Sequence, residues 1–148
     1  MNYERLLTTL KEDEGIEYKI YADHLGYLTF GIGHLIGKED SEFGSPLGTL
    51  VTEQRVREAF KKDVDLAVSE CVALYGNKFY LWPDEVKEIL VNMMFNMGRT
   101  RLSKFAKFKD ALAKKEWKHA AFEGRDSLWY KQVTNRAERL MKRLEAVE

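Results

Sequence analysis

The chain has 148 residues, with 24 Lys and Arg against 24 Asp and Glu, so its formal net charge is zero. Apolar residues make up 45% of it and only two residues are proline, which excludes a disordered or solenoid protein and favours one compact domain. The single cysteine, Cys71, excludes an intramolecular disulfide and a cysteine metal cluster. Because no segment resembles a membrane span or a signal peptide, we expect a chain made in a cytoplasm, without stable membrane insertion.

The two parts of the chain carry opposite charge. Residues 1–51 hold four basic and nine acidic side chains, whereas residues 52–148 hold twenty and fifteen. The basic excess is concentrated between Arg99 and Lys118, where basic and aromatic residues alternate. Nucleic-acid-binding proteins contain such stretches, but the helical spacing of the apolar residues favours a solvated basic face over a core. We therefore expect no nucleic-acid partner.

The first part of the chain is predicted to form one helix and a small sheet. Residues 3–14 show the i, i+3, i+4, i+7 spacing of an amphipathic helix, which Gly15 ends. Residues 16–36 are rich in Tyr, Ile, Phe and Thr between glycines, which predicts two or three short antiparallel strands. A surface loop follows up to Thr52, which is placed to cap a long helix.

The rest of the chain is predicted to be helical. Pro83 opens a segment that is apolar nearly all round and ends at Gly98, which indicates a central buried helix. Three further helices are predicted over residues 103–114, 116–122 and 135–147. The fold class is therefore α+β, with a small lobe that contains a β-hairpin and a larger all-helical lobe, joined by a long helix.

Glu14 is the first candidate catalytic residue. It lies at the end of the first helix and continues the apolar stripe of that helix. Partial burial and the negative end of the helix dipole both disfavour an ionised carboxylate there, as a general acid requires. The alternative is a helix-end glutamate paired to an arginine, and this feature alone is compatible with both.

A second carboxylate, Asp23, follows nine positions later, in the turn between the first two predicted strands. A hairpin that returns through Thr29 would bring Glu14, Asp23 and Thr29 around one cleft. Glycoside hydrolysis requires such an arrangement, with an acid for the leaving oxygen and a second carboxylate on the other face of the sugar.

The segment DEGIEYKIYADHLGYLTFGIGHLIG, residues 13–37, resembles the N-terminal signature of the phage T4-type lysozymes. That signature is a Glu-x8-Asp-x5-Thr spacing followed by Gly-x-Gly-His. The segments NMMFNMG, residues 92–98, and WYKQVTNRAERL, residues 129–140, continue the resemblance in the same order. The resemblance thus spans most of the chain.

The resemblance implies a peptidoglycan muramidase that hydrolyses the β-1,4 bond between N-acetylmuramic acid and N-acetylglucosamine and needs no metal or organic cofactor. Glu14 would protonate the glycosidic oxygen, while Asp23 and Thr29 would hold and activate the attacking water. Inversion at the anomeric carbon would follow.

Further residues receive roles from the resemblance alone. His34 would be a structural histidine in a buried ion pair, and Arg136 would pair with Glu14. Phe108 and Glu123 stand where the family carries a serine and an asparagine. Because the family positions belong to the saccharide groove, these two departures imply that the finer contacts with the saccharide differ from those of the family.

A saccharide groove is implied by four other positions. Leu35 and Phe95 match family positions that line the groove, and Asn96 lies beside them, where it could meet an acetamido group. The alternative is that Leu35 and Phe95 are merely core residues. Gly33 would let the backbone approach a sugar closely.

The resemblance also implies how the single domain, residues 1–148, is organised and used. The small lobe would cover about residues 14–60 and the helical lobe about residues 61–148, with residues 1–13 packed on the helical lobe. The protein would act as a monomeric phage endolysin, made in the host cytoplasm and reaching bacterial peptidoglycan after a holin permeabilises the membrane. The alternative is a catalytically inactive peptidoglycan-binding protein or phage tail component.

Overall fold

The computed structural model describes residues 1–148 and confirms the α+β class, with seven α-helices and one antiparallel sheet of three strands. The helices are α1 Tyr3–Glu14, α2 Glu53–Tyr75, α3 Asp84–Leu102, α4 Ala106–Ala113, α5 Trp117–Arg125, α6 Leu128–Gln132 and α7 Thr134–Glu145. The strands are β1 Glu17–Ala22, β2 Leu28–Gly31 and β3 His34–Leu35, and a short 3-10 helix covers Asn77–Leu81. None of the helices combines the length and the apolar composition that crossing a bilayer requires.

Contacts within the chain divide it into two compact units. The sheet unit is residues 3–66, and the helical unit is residues 67–148 together with residues 1–2. The division falls inside α2. The predicted lobe boundaries, and the predicted packing of residues 1–13 on the helical lobe, stay predictions.

The start of the sheet unit follows from its turn residues. Gly15 ends α1 because it adopts a left-handed backbone (φ 79°), and its N–H donates to the carbonyl of Lys11 at 2.9 Å. At the other end of the unit, the hydroxyl of Thr52 accepts the N–H of Arg55 at 3.1 Å, which caps the start of α2 as predicted.

The sheet has strand order β1-β2-β3 and two different faces. Side chains alternate between the faces of a strand, so Phe30 and Thr29 point to opposite sides. Phe30 lies in the core, which is formed by five buried residues: Ile20, Phe30, Val51, Val56 and Ala59. Thr29 lies on the other face, opposite Tyr21 of β1 and opposite Leu35 of β3.

Residues 48–51 cover the outer edge of β1. The N–H of Ile20 donates to the carbonyl of Thr49 at 2.9 Å, and the carbonyl of Ile20 accepts the N–H of Gly48 at 2.8 Å. The N–H of Val51 also donates to the carbonyl of Tyr18 at 2.9 Å. Three backbone groups on this edge, from Tyr18 and Ile20, are therefore paired within the chain.

In the helical unit, α3 is the buried central helix that the sequence predicts, since ten of its residues are buried. Its end differs from the prediction. Gly98 has a non-helical backbone (φ 76°, ψ 166°), but helical structure resumes and runs to Leu102. Gly98 therefore marks a kink between two helical segments, because its left-handed φ is accessible to glycine at low cost.

The helices α5 and α7 approach closely at Gly124, where a Cβ atom would overlap the sulfur of Met141. The next residue, Arg125, donates to Glu138 at 2.9 Å and to Glu145 at 2.7 Å, which joins the same two helices. Glycine at position 124 thus permits the contact that these ion pairs flank.

We expect Gly124→Ala to destabilise the protein by up to about 2 kcal/mol. Alanine favours a helix over glycine by about 1 kcal/mol, but overpacking costs about 1–3 kcal/mol, and Met141 is fully buried and cannot swing into solvent. Denaturant unfolding measures the difference. The matched control is Gly37→Ala, whose Cβ would lie 2.9 Å from the carboxylate of Glu39, an exposed side chain that can move aside. A Gly124→Ala protein as stable as the wild type would contradict the tight contact.

Candidate active site

Glu14, the predicted acid, is the last residue of α1 and is half-buried. Its Oε2 lies 3.9 Å from the position that a Cβ atom on Gly33 would occupy. Gly33 lies in the turn between β2 and β3 and has a left-handed backbone (φ 65°), which a side chain would strain. The carboxylate of Glu14 therefore lies against a turn in which no side chain covers the backbone at position 33.

Asp23 is fixed by its own turn. Its Oδ1 accepts the N–H of Leu25 at 2.9 Å and the N–H of Tyr27 at 2.8 Å, which is the local pairing that makes aspartate a turn residue. Its backbone N–H also donates to the carbonyl of Tyr27 at 2.9 Å. No protein group donates to Oδ2, so that oxygen is available to a water molecule or a ligand.

Thr29 is buried, with 3% of its surface exposed, although it lies on the face of the sheet away from the core. Its hydroxyl donates to the carbonyl of Tyr27 at 2.9 Å, which leaves the oxygen lone pairs free to accept a hydrogen bond. Leu35, the neighbour of Thr29 on β3, is 55% exposed and so is not a core residue.

His34 lies between two carboxylates. Its Nδ1 is 2.7 Å from Oδ2 of Asp63 and its Nε2 is 2.9 Å from Oδ2 of Asp40. Asp40, which is 8% exposed, also accepts the N–H of Gly37 at 2.8 Å and a guanidinium N–H of Arg55 at 3.1 Å. We call His34, Asp40, Asp63 and Arg55 the histidine network. Sequence reasoning proposed an ion pair for His34 but did not identify its partners.

The histidine network shifts two pKa values in opposite directions. Burial lowers the pKa of His34, but the hydrogen bonds to Asp63 and Asp40 outweigh burial, so that the pKa is raised. Burial raises the pKa of Asp40, but the N–H of Gly37 and the ring of His34 outweigh it, so that the pKa is lowered. The network is thus most stabilising when His34 is protonated and Asp40 is ionised.

We expect the stabilising effect of His34 to fall as the pH rises. A raised pKa contributes stability that is complete below the unfolded pKa, about 6.5, and is lost as the pH passes the folded value. The free energy of unfolding of the wild type should therefore exceed that of His34→Gln by more at pH 6 than at pH 9. Denaturant unfolding at both pH values measures this, with the exposed His24→Gln as the control. A difference that is equal at both pH values would contradict the ion pairs.

The remaining predicted residues lie in the helical unit. Oδ1 of Asn96 accepts the indole N–H of Trp129 at 2.7 Å, while no protein group accepts from its amide nitrogen. Arg136 donates to Oδ1 of the buried Asn92 at 2.9 Å and to the carbonyl of Asn92 at 3.3 Å. Phe95 is half-buried. The predicted pairing of Arg136 with Glu14 and the groove roles of Phe95 and Asn96 stay predictions.

The helical unit also contains an open pocket of about 630 Å³ that the sequence did not predict. Phe108 and Glu123, the two departures from the family pattern, both line it. None of the predicted catalytic residues lines this pocket. Its charged lining residues are of both signs: Arg101, Lys104, Lys107, Glu123 and Asp126. No cluster of three or more His, Cys, Asp or Glu side chains is arranged to hold a metal ion.

Known proteins resemble the chain over most of its length. The sequence profile of the phage lysozyme family matches residues 11–146. The pre-baseplate central spike protein Gp5 of Enterobacteria phage T4 is 30% identical over 148 residues, which cover 88% of this chain but only 26% of the spike protein. Probable T4-type lysozyme 2 of Dictyostelium discoideum is 30% identical over 154 residues, which cover 89% of this chain and 88% of that protein. The endolysin of a Salmonella phage is 31% identical over 97 residues, which cover 64% of this chain and 61% of that protein.

The chain thus spans about a quarter of the spike protein and most of the Dictyostelium protein. The matched range, residues 11–146, includes every residue that the sequence predicts for the site. The extent of this match establishes the family: the chain belongs to the phage lysozymes.

Proposed function

We propose that the protein is a peptidoglycan N-acetylmuramidase that hydrolyses the β-1,4 bond between N-acetylmuramic acid and N-acetylglucosamine. The observation that carries the proposal is the state of Asp23, whose Oδ1 is held by two backbone N–H groups while its Oδ2 is free. A carboxylate that is fixed at one oxygen and free at the other is suited to orient a water molecule. Thr29, on the same hairpin, adds a hydroxyl that can accept a second hydrogen bond from that water.

In the proposed mechanism, Glu14 donates its proton to the glycosidic oxygen as the bond from that oxygen to the anomeric carbon breaks. The water held by Asp23 and Thr29 attacks the anomeric carbon from the opposite face and gives its proton to Asp23. The sugar then carries a new hydroxyl on the face opposite to the departing oxygen, which is inversion. The products are two shorter glycans, one of which ends in a reducing N-acetylmuramic acid.

The proposed setting is a phage endolysin that acts on the bacterial cell wall as a monomer, without a cofactor, after a holin has permeabilised the membrane. The similarity to an endolysin of a Salmonella phage supports this setting. The similarity to a phage spike protein supports the alternative, a wall-binding or tail component without activity. The retained Glu14, Asp23 and Thr29 favour the enzyme over that alternative.

Digestion of purified peptidoglycan sacculi tests the proposal. Mass spectrometry of the borohydride-reduced products should find reduced N-acetylmuramic acid at the new ends, and proton NMR of unreduced products should first detect the α-anomer. Reduced N-acetylglucosamine at the new ends would mean that the enzyme is a glucosaminidase and not a muramidase. A β-anomer as the first product would mean that the reaction retains the anomeric configuration and does not invert it. A folded protein that releases no product would favour the binding or tail component.

A further inference from the structure

Tyr21 lies in a row with two predicted site residues. It is directly opposite Thr29 in the β1–β2 pairing, and Thr29 is directly opposite Leu35 in the β2–β3 pairing. Directly opposed residues of antiparallel strands point to the same face, with Cβ atoms about 4.5–5.5 Å apart. The three side chains therefore stand side by side on the face of the sheet away from the core.

The phenol of Tyr21 has no partner within the protein. The side chain is half-buried, and no protein group forms a hydrogen bond with its hydroxyl. Burial and the nearby carboxylates of Glu17, Asp23 and Glu14 raise its pKa above the usual 10.0. The hydroxyl thus remains protonated at neutral pH, beside both predicted catalytic carboxylates, and has a proton to donate.

We propose that Tyr21 is a further substrate-contacting residue, whose ring forms the wall of the sugar site next to Thr29 and whose hydroxyl donates a hydrogen bond to the bound glycan. The inference rests on the proposed function and deepens it. An aromatic ring with a polar tip suits an N-acetylated sugar, which presents apolar C–H groups beside hydroxyl and acetamido oxygens. The hydroxyl of the neighbouring Thr29 already donates its hydrogen bond to the carbonyl of Tyr27, so the hydroxyl of Tyr21 supplies a hydrogen-bond donor that Thr29 does not.

A register shift in the β1–β2 pairing explains why Tyr21 takes this place. Glu17 pairs with Gly31 and Tyr21 with Thr29, so the β1–β2 register shifts by two residues between these pairs, which places Tyr21 rather than Lys19 opposite Thr29. Ile20, the residue before Tyr21, is buried in the core, so Tyr21 points to the opposite face of the strand.

Binding to an inactive background tests the inference separately from catalysis. Isothermal titration calorimetry with a soluble glycan of alternating N-acetylglucosamine and N-acetylmuramic acid would compare Glu14→Gln with the double variant Glu14→Gln/Tyr21→Phe. Loss of one hydrogen bond should raise Kd about 3- to 10-fold. The matched control is Tyr18→Phe in the same background, since Tyr18 is on the same strand, 42% exposed, and outside the row. An equal Kd for the parent and the Tyr21 variant would overturn the inference.

Kinetics on the active protein give a second readout. Tyr21→Phe should raise KM about 3- to 10-fold and change kcat by less than about twofold, because the hydroxyl binds the glycan before and during the reaction alike. An unchanged melting temperature would exclude a merely structural effect. If the wild type cleaves no glycan, the proposed function fails and the Kd comparison alone decides the role of Tyr21; if it also binds none, both proposals fall.

Discussion

Replacing Glu14 by glutamine is expected to lower kcat for peptidoglycan hydrolysis by about 10²- to 10⁴-fold, the usual contribution of general acid catalysis. Glutamine retains the size and polarity of the side chain but has no proton to give to the glycosidic oxygen. Because the carboxylate lies against the bare backbone of Gly33, the isosteric change should leave the local packing intact. Turbidity loss of permeabilised Gram-negative cells measures the rate, and circular dichroism checks the fold.

The control for this prediction is Glu12→Gln, which removes an exposed carboxylate from the same turn of α1. Both substitutions change the net charge equally, so an effect of charge on binding to an anionic wall would appear in both. Only the Glu14 variant should lose turnover. Wild-type lysis by a folded Glu14→Gln protein would remove Glu14 from the role of the acid.

Replacing Asp40 by alanine is expected to cost about 3–5 kcal/mol of unfolding free energy, the range for removing one partner of a buried charge pair. The carboxylate accepts from the ring of His34 at 2.9 Å, from the N–H of Gly37 at 2.8 Å and from Arg55 at 3.1 Å. All three donors lose an acceptor in the variant. Since small proteins are stable by only about 5–15 kcal/mol, denaturant unfolding should find a large shift of the midpoint.

Glu39→Ala is the matched control for Asp40→Ala. Its carboxylate is the immediate neighbour in the chain but is exposed, so the change should stay within about 0.5 kcal/mol. The intermediate variant Asp40→Asn retains an acceptor oxygen and loses the charge, and should fall between the two. A loss below about 1 kcal/mol for Asp40→Ala would mean that solvent replaces the carboxylate.

The sequence predicts those elements whose ends are marked by a residue with one clear physical role. The first helix is predicted to its last residue, because the apolar stripe and Gly15 agree on where it ends. The 3-10 helix and α6 are not predicted, because five residues are too few for a periodicity. For α6 a signal was available in Ser127, whose hydroxyl accepts the N–H of Tyr130 at 3.2 Å as an N-cap.

In the candidate site, likewise, contacts between residues close in sequence can be predicted, whereas contacts between distant segments cannot. Asp23 and its turn can be predicted because the fixing contacts all lie within four residues of the chain. Tyr21 could not be placed beside Thr29, because the register of β1 on β2 shifts between Glu17 and Tyr21, and no residue type predicts that shift. Asp40 lies in a loop that reads as solvent-exposed, and only the burial of His34 against it makes its carboxylate structural.

The pairing of residues 48–51 along β1 affects how the protein can associate with other molecules of its kind. An open strand edge is a template on which a second molecule can add its own strand. Here that edge is already occupied, and the opposite edge, β3, offers only two residues, too few for a stable intermolecular ladder. Leu50, which is 84% exposed, lies at this covered edge and pairs with Lys19 of β1. We therefore expect the sheet edges to resist the strand-by-strand addition of further molecules from which fibrils grow.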